Sequence, residues 1–143
     1  LSQLGLVSNA RPEKYNAGGK SSSNRFTNPY NPKADRTARV RTYWQVNCAT
    51  CHVNAGGGNS QMILSYHLKL DATKTLGAEP VHARFGLGKK ARIIAPGDPA
   101  HSVMLQRIIR PGPGRMPPIG ATTSDPKWIQ LLAEWIAEQK PTK

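Results

Sequence analysis

Two thiols and an imidazole stand within five residues of one another in Cys48-Ala49-Thr50-Cys51-His52, and these are the only two cysteines of the chain. On a turn of helix, positions three and four apart share a face, so both sulfurs and the imidazole can address one planar object. Cys-x-x-Cys-His is the attachment pattern of c-type haem: each thiol adds to a vinyl group of the macrocycle, and the adjacent imidazole becomes an axial ligand to iron. The second ring nitrogen of His52 is then expected to donate to an acceptor that fixes its tautomer.

Other chemistries use some of the same atoms. A redox-active disulfide also needs Cys-x-x-Cys, but in a βαβ setting that this sequence lacks. A zinc-held binding module could use Cys48, Cys51 and a histidine, yet structural zinc wants four ligands, and His67, His82 and His101 show no second paired spacing. Neither alternative requires a histidine directly after the second cysteine.

Haem iron has a sixth position, and its occupant decides the function. Met116 is the candidate. It lies 64 residues after His52, in Arg115-Met116-Pro117-Pro118, where two prolines stiffen the chain that presents the thioether. Met62 and Met104 read as packing residues, since both lie in apolar patterns; His82 or Met104 in place of Met116 stays open. A vacant sixth site would make the chain a haem enzyme or sensor, of peroxidase or gas-binding type, rather than an electron carrier.

The elements that must position these groups are helical. Val40, Tyr43 and Trp44 recur at helical spacing over 35–47 and lead straight into Cys48. Met62, Leu64, Tyr66, Leu68 and Leu70 alternate as in a short strand, and Gly77 to Lys90 looks irregular. Asp98-Pro99 reads as a helix start, with the helix running to about Arg110 until Pro111-Gly112-Pro113-Gly114 ends it. Asp125 caps and Pro126 opens a last helix whose stripe of Trp128, Ile129, Leu132, Trp135 and Ile136 demands a partner. The fold expected is mainly α, with helices packed around one covalently bound haem and a long irregular middle insertion.

With 143 residues the chain suits one domain. Residues 1–33 read as an extended leader or linker, rich in Asn, Ser, Gly and Pro, and 34–143 as the domain. Apolar residues make up 38% and the mean hydropathy is -0.51, a modest core that a large apolar cofactor would enlarge. No run of 18 apolar residues offers a membrane span, and the first residues lack the charged and apolar regions of a signal peptide. The net charge of +12 is scattered without a nucleic-acid motif, so it points to steering of acidic partners rather than to DNA or RNA.

A helix leading into Cys-Ala-Thr-Cys-His, a distal Met-Pro-Pro loop and an amphipathic C-terminal helix together resemble a class I cytochrome c over about residues 35–140. That resemblance implies His52 and Met116 as the axial pair, and a crossing of first and last helices that sets Val40 and Trp44 against Leu132 and Trp135. Val40 stands where the family often has a small residue, eight before the first cysteine. Asn28-Pro29-Tyr30, Val46-Asn47-Cys48, Ala95 to Ala100 and Met116-Pro117-Pro118 are similar to phrases in haem domains attached to larger bacterial proteins, including quinone-dependent sugar dehydrogenase-like chains. The likeness implies an acidic redox protein or a fused dehydrogenase domain as partner, and a periplasmic or extracellular location.

Overall fold

The computed structural model describes residues 25–120 and 123–141. Its regular structure is helical: α1 spans Arg36–Asn47, α2 Val103–Ile109 and α3 Pro126–Glu138, joined by single 3-10 turns at Asp71–Thr73, Gly88–Lys90 and Pro99–His101. There is no strand among the described residues.

α1 starts where the Asp35 carboxylate accepts from the Ala38 amide at 2.8 Å, satisfying one of the donors a helix leaves open at its first turn. Asp125 does the same for α3, accepting from Trp128 at 3.1 Å with Pro126 at the first helical position. The two helices pack on each other through Val40, Trp44, Leu132 and Trp135, all without solvent exposure. Trp44 and Trp135 meet edge to face, and the Trp135 indole N–H donates to Thr37 Oγ1 at 3.0 Å. At one end of this pair Arg36 is bonded to Glu134 and Glu138. The expected helix crossing is therefore present. On α3 the buried stripe includes Leu131, while Ile129 is only half-buried.

The expected strand over Met62 to Leu70 does not form. Its backbone is satisfied piecemeal instead of by a pairing edge: the Ile63 and Leu64 amides donate to the carbonyls of Thr73 and His52, the buried Arg41 guanidinium donates to the carbonyls of Ser65, Tyr66 and Leu68 at 2.7–3.0 Å, and Gln45 accepts from the Tyr66 amide at 2.7 Å. A residue run whose carbonyls are gathered on one cation has no ladder to join.

The helix expected from Pro99 to Arg110 is likewise broken, at Ser102. That residue is fully buried and extended, its hydroxyl accepting from the Ala95 amide and donating to the Asp98 carbonyl, each at 2.9 Å. The amides of Val103 and Met104 then bond to the carbonyls of Arg92 and Ile93, so α2 begins afresh at Val103.

Residues 1–24 of the expected leader lie outside the described residues. Its last residues lie on the domain: Phe26 meets Tyr66 edge to face, the Thr27 amide donates to Thr42 Oγ1, Arg39 Nε donates to the Pro29 carbonyl, and the Tyr30 hydroxyl donates to Asp125.

Candidate functional site

α1 delivers the thiols. Its last turn runs on through the cysteine motif, with the Cys48 amide bonded to the Trp44 carbonyl at 2.8 Å and the His52 amide to the Cys48 carbonyl at 3.0 Å. This is the helical turn that puts Cys48, Cys51 and His52 on a common side. The His52 carbonyl then accepts from Leu64 at 2.8 Å, tying the motif to the loop that Arg41 holds.

Cys48, Cys51 and His52 line one cavity of about 660 Å³, within the size range of cofactor sites. Met116 lines the same cavity, as do Met62, Leu64, Met104 and Trp128. Tyr43 forms part of the wall, stacked on Trp128 with ring centroids 3.9 Å apart and 4° between planes. The structure thus brings all four candidate residues to one apolar space. His82 is exposed on its lining, and Met104 is buried in the core while also facing it. His67 and His101 are not on the lining; His101 bonds to Asp98 at the turn before α2.

The cavity's chemistry suits a covalently held macrocycle. Burial, with a smaller contribution from Cys51, pushes the free Cys48 thiol up to about 12, whereas the attacking thiol of a redox dithiol is normally lowered. Burial, aided by the Arg107 guanidinium, moves the His52 imidazole below its ordinary value, which favours the neutral form that ligates metal. The acceptor expected for the second ring nitrogen is not found among the described residues: His52 Nδ1 is buried without a hydrogen-bond partner, on the side of the ring that the Gly58 backbone closes over. Among the described residues no three His, Cys, Asp or Glu side chains gather as a metal-holding group.

Two glycines allow the chain to wrap this imidazole. A Cβ on Gly58 would lie 2.7 Å from His52 Nδ1 and 2.8 Å from the Cys51 carbonyl, and one on Gly56 would collide with that same carbonyl. In sequence these glycines read only as a loop.

Arg107 is the residue that sequence reasoning missed. It lines the cavity, its Nη1 donates to the Gly114 carbonyl at 2.8 Å, and its own carbonyl accepts from the Met116 amide at 2.9 Å. Nothing in residue spacing marks it among 20 basic residues. Arg115 also lines the cavity. Arg84 and Arg92 do not; the first pairs with Glu79 at 3.0 Å and the second donates to the carbonyls of Lys89 and Ala91.

The family model described as cytochrome c oxidase, cbb3-type, subunit III matches residues 35–136, from the N-cap of α1 almost to the end of α3. Comparison with curated proteins and with solved structures found no match. The match covers more than half of the chain and includes both cysteines and both helices of the crossing. The chain belongs to this family: it is a class I mono-haem c-type cytochrome domain that binds covalently attached haem c and serves haem-based electron transfer.

Proposed function

We propose that this domain is an electron carrier or relay in which Cys48 and Cys51 hold the haem by thioether bonds and His52 and Met116 are its two axial ligands. The observation that carries the reading is that all four side chains line one cavity, although Met116 comes from a loop 64 residues away from His52. When bound, haem supplies a one-electron couple, and methionine in place of a second histidine raises its potential. The protein's own residues do the rest. His52, whose imidazole burial shifts towards the neutral form, offers a lone pair; the cavity of about 660 Å³ gives the macrocycle a largely apolar lining; the prolines after Met116 stiffen one side of the loop that presents sulfur.

The net charge of +12 supports an acidic redox partner, either a separate protein or a dehydrogenase domain fused to residues 1–33 as linker. Domains of this family usually lie outside the cytoplasm, and among the described residues no helix is long and apolar enough to cross a membrane. A bacterial periplasmic or extracellular location accords with the family.

Absorption spectra of the oxidised and reduced protein test the ligand set. The ferric form is expected to show the weak near-infrared band of iron bound to thioether sulfur, and Met116→Ala should abolish it while the haem stays attached. Retention of the band in Met116→Ala would reassign the ligand to Met104 or Met62, which face the same cavity. Rapid, tight carbon monoxide binding by the reduced wild type would favour the open-site enzyme or sensor instead.

A further inference from the structure

The middle insertion places an aromatic ring where it can act on the distal loop. Phe85 sits in the irregular stretch between Gly77 and Lys90 with a left-handed backbone, φ 51°, a conformation that costs a bulky residue energy and persists only where its surroundings enforce it. Its ring lies 4.9 Å from the Arg107 guanidinium carbon and 4.0 Å from that of Arg110. Two like charges brought this close repel, and the negative face of the ring offsets that repulsion. The same ring packs on the backbone of Gly114, where a Cβ would lie 3.1 Å from Phe85 Cε1.

Arg107 connects this cluster to the cavity. Its side chain donates to the Gly114 carbonyl at 2.8 Å and its carbonyl receives the Met116 amide at 2.9 Å. Pro117 and Pro118 restrain the chain after Met116. Before it, Pro111 and Pro113 alternate with Gly112 and Gly114, both at positive φ (77° and 84°), so Gly114, two residues from Met116, is held by the Arg107 bond rather than by a ring of its own.

We propose that Phe85 is a positioning residue for the distal ligand: it clamps Arg107 onto Gly114 and thereby sets how often the Met116 sulfur leaves the iron. The clamp rests on the reading of Met116 as an axial ligand. The insertion is then a brace for the electron-transfer site.

Imidazole added to the ferric holoprotein replaces methionine, and its binding rate at saturating imidazole reports the rate at which sulfur departs. Phe85→Leu, which keeps bulk but not the ring's charge distribution, should raise that limiting rate roughly tenfold, the scale of a lost cation–π contact. Phe85→Tyr should restore it. Val40→Ala, a core truncation between α1 and α3, should lower thermal stability without changing the rate, which separates positioning from general loosening. An unchanged limiting rate in Phe85→Leu, or an equal acceleration in Val40→Ala, overturns the clamp while leaving Met116 as ligand. Absence of the near-infrared band in wild type overturns the ligand assignment itself and the clamp with it.

Discussion

Trp44 on α1 and Trp135 on α3 meet edge to face, with ring centroids 5.4 Å apart and 86° between planes, both wholly removed from solvent. The geometry aligns the positive edge of one ring with the negative face of the other, a preference worth about 0.5–1.5 kcal/mol beyond burial. Truncation of either ring also opens a void at the helix crossing. Trp135→Ala is expected to destabilise the domain by about 3–5 kcal/mol in denaturant unfolding, and a loss below about 1 kcal/mol would show that the crossing is not central to the core.

Covalent attachment predicts a graded outcome for the cysteines. Cys48→Ala or Cys51→Ala, produced in a host able to install haem, should leave one thioether, so the denatured polypeptide still carries the mass of the macrocycle. The double substitution should lose it. Mass spectrometry of the denatured chain reads both results directly.

Gly58 and Gly57 are adjacent yet differ sharply. Gly58→Ala drives a methyl group into His52 Nδ1 and the Cys51 carbonyl, whereas a Cβ on Gly57 meets nothing within 4 Å. Haem content per chain should fall in Gly58→Ala. Gly57→Ala should match wild type in haem content and lie within about 0.5 kcal/mol in stability.

Acid sensitivity should centre on the cap of α3. Burial pulls the Asp125 carboxyl up, but hydrogen bonds from the Tyr30 hydroxyl, the Trp128 and Lys127 amides and the Tyr43 hydroxyl outweigh it and hold the group below its ordinary value. A folded value below the unfolded one gives stability that is complete above the unfolded pKa, about 4, and is lost as pH falls through the folded value. Wild type should therefore lose stability more steeply than Asp125→Asn between about pH 5 and pH 2 in urea titrations. At the other extreme, the hydrogen bond to Asp125, burial and the Asp125 charge push the Tyr30 phenol up to about 12. Its stabilisation is complete below the unfolded value near 10 and fades as pH rises through 12, so Tyr30→Phe should flatten that alkaline limb.

Charge steering has its own signature. Association with an acidic redox protein should slow as salt rises, because a surface of +12 acts over a Debye length of about 8 Å at physiological ionic strength. Stopped-flow electron transfer between 10 and 500 mM salt, roughly the range over which that length shrinks several-fold, would show a flat profile if charge plays no part.

Local patterns were readable in the residue order and non-local ones were not. The thiol–imidazole motif, the Asp125-Pro126 start and the tryptophan-bearing stripe each act within a few residues, so spacing alone reveals them. The alternation of Met62 to Leu70 misled because period-two spacing shows which side chains share a side, not whether a neighbouring strand exists; the Arg41 guanidinium, 24–27 positions earlier, took the carbonyls instead. The interruption of α2 depends on Ser102 bonding to Ala95 and Asp98 inside the core, which no propensity encodes. Arg107 and Phe85 were illegible for the same reason: their significance lies in a ring, a cation and a glycine that meet only after folding. The assignment of His52 and Met116 as ligands rested on the motif and the resemblance, and the shared cavity is what the structure adds to them.

Arg36 opens the first helix and Glu138 closes the last, and the two are bonded although they stand 102 positions apart. Side-by-side helix ends make the helical core graftable when the segment 26–35 that packs on it travels with it. A circular permutant, with those ends joined by a short peptide and the backbone reopened at a surface turn, would keep every residue of the cavity wall in its native order around the ring.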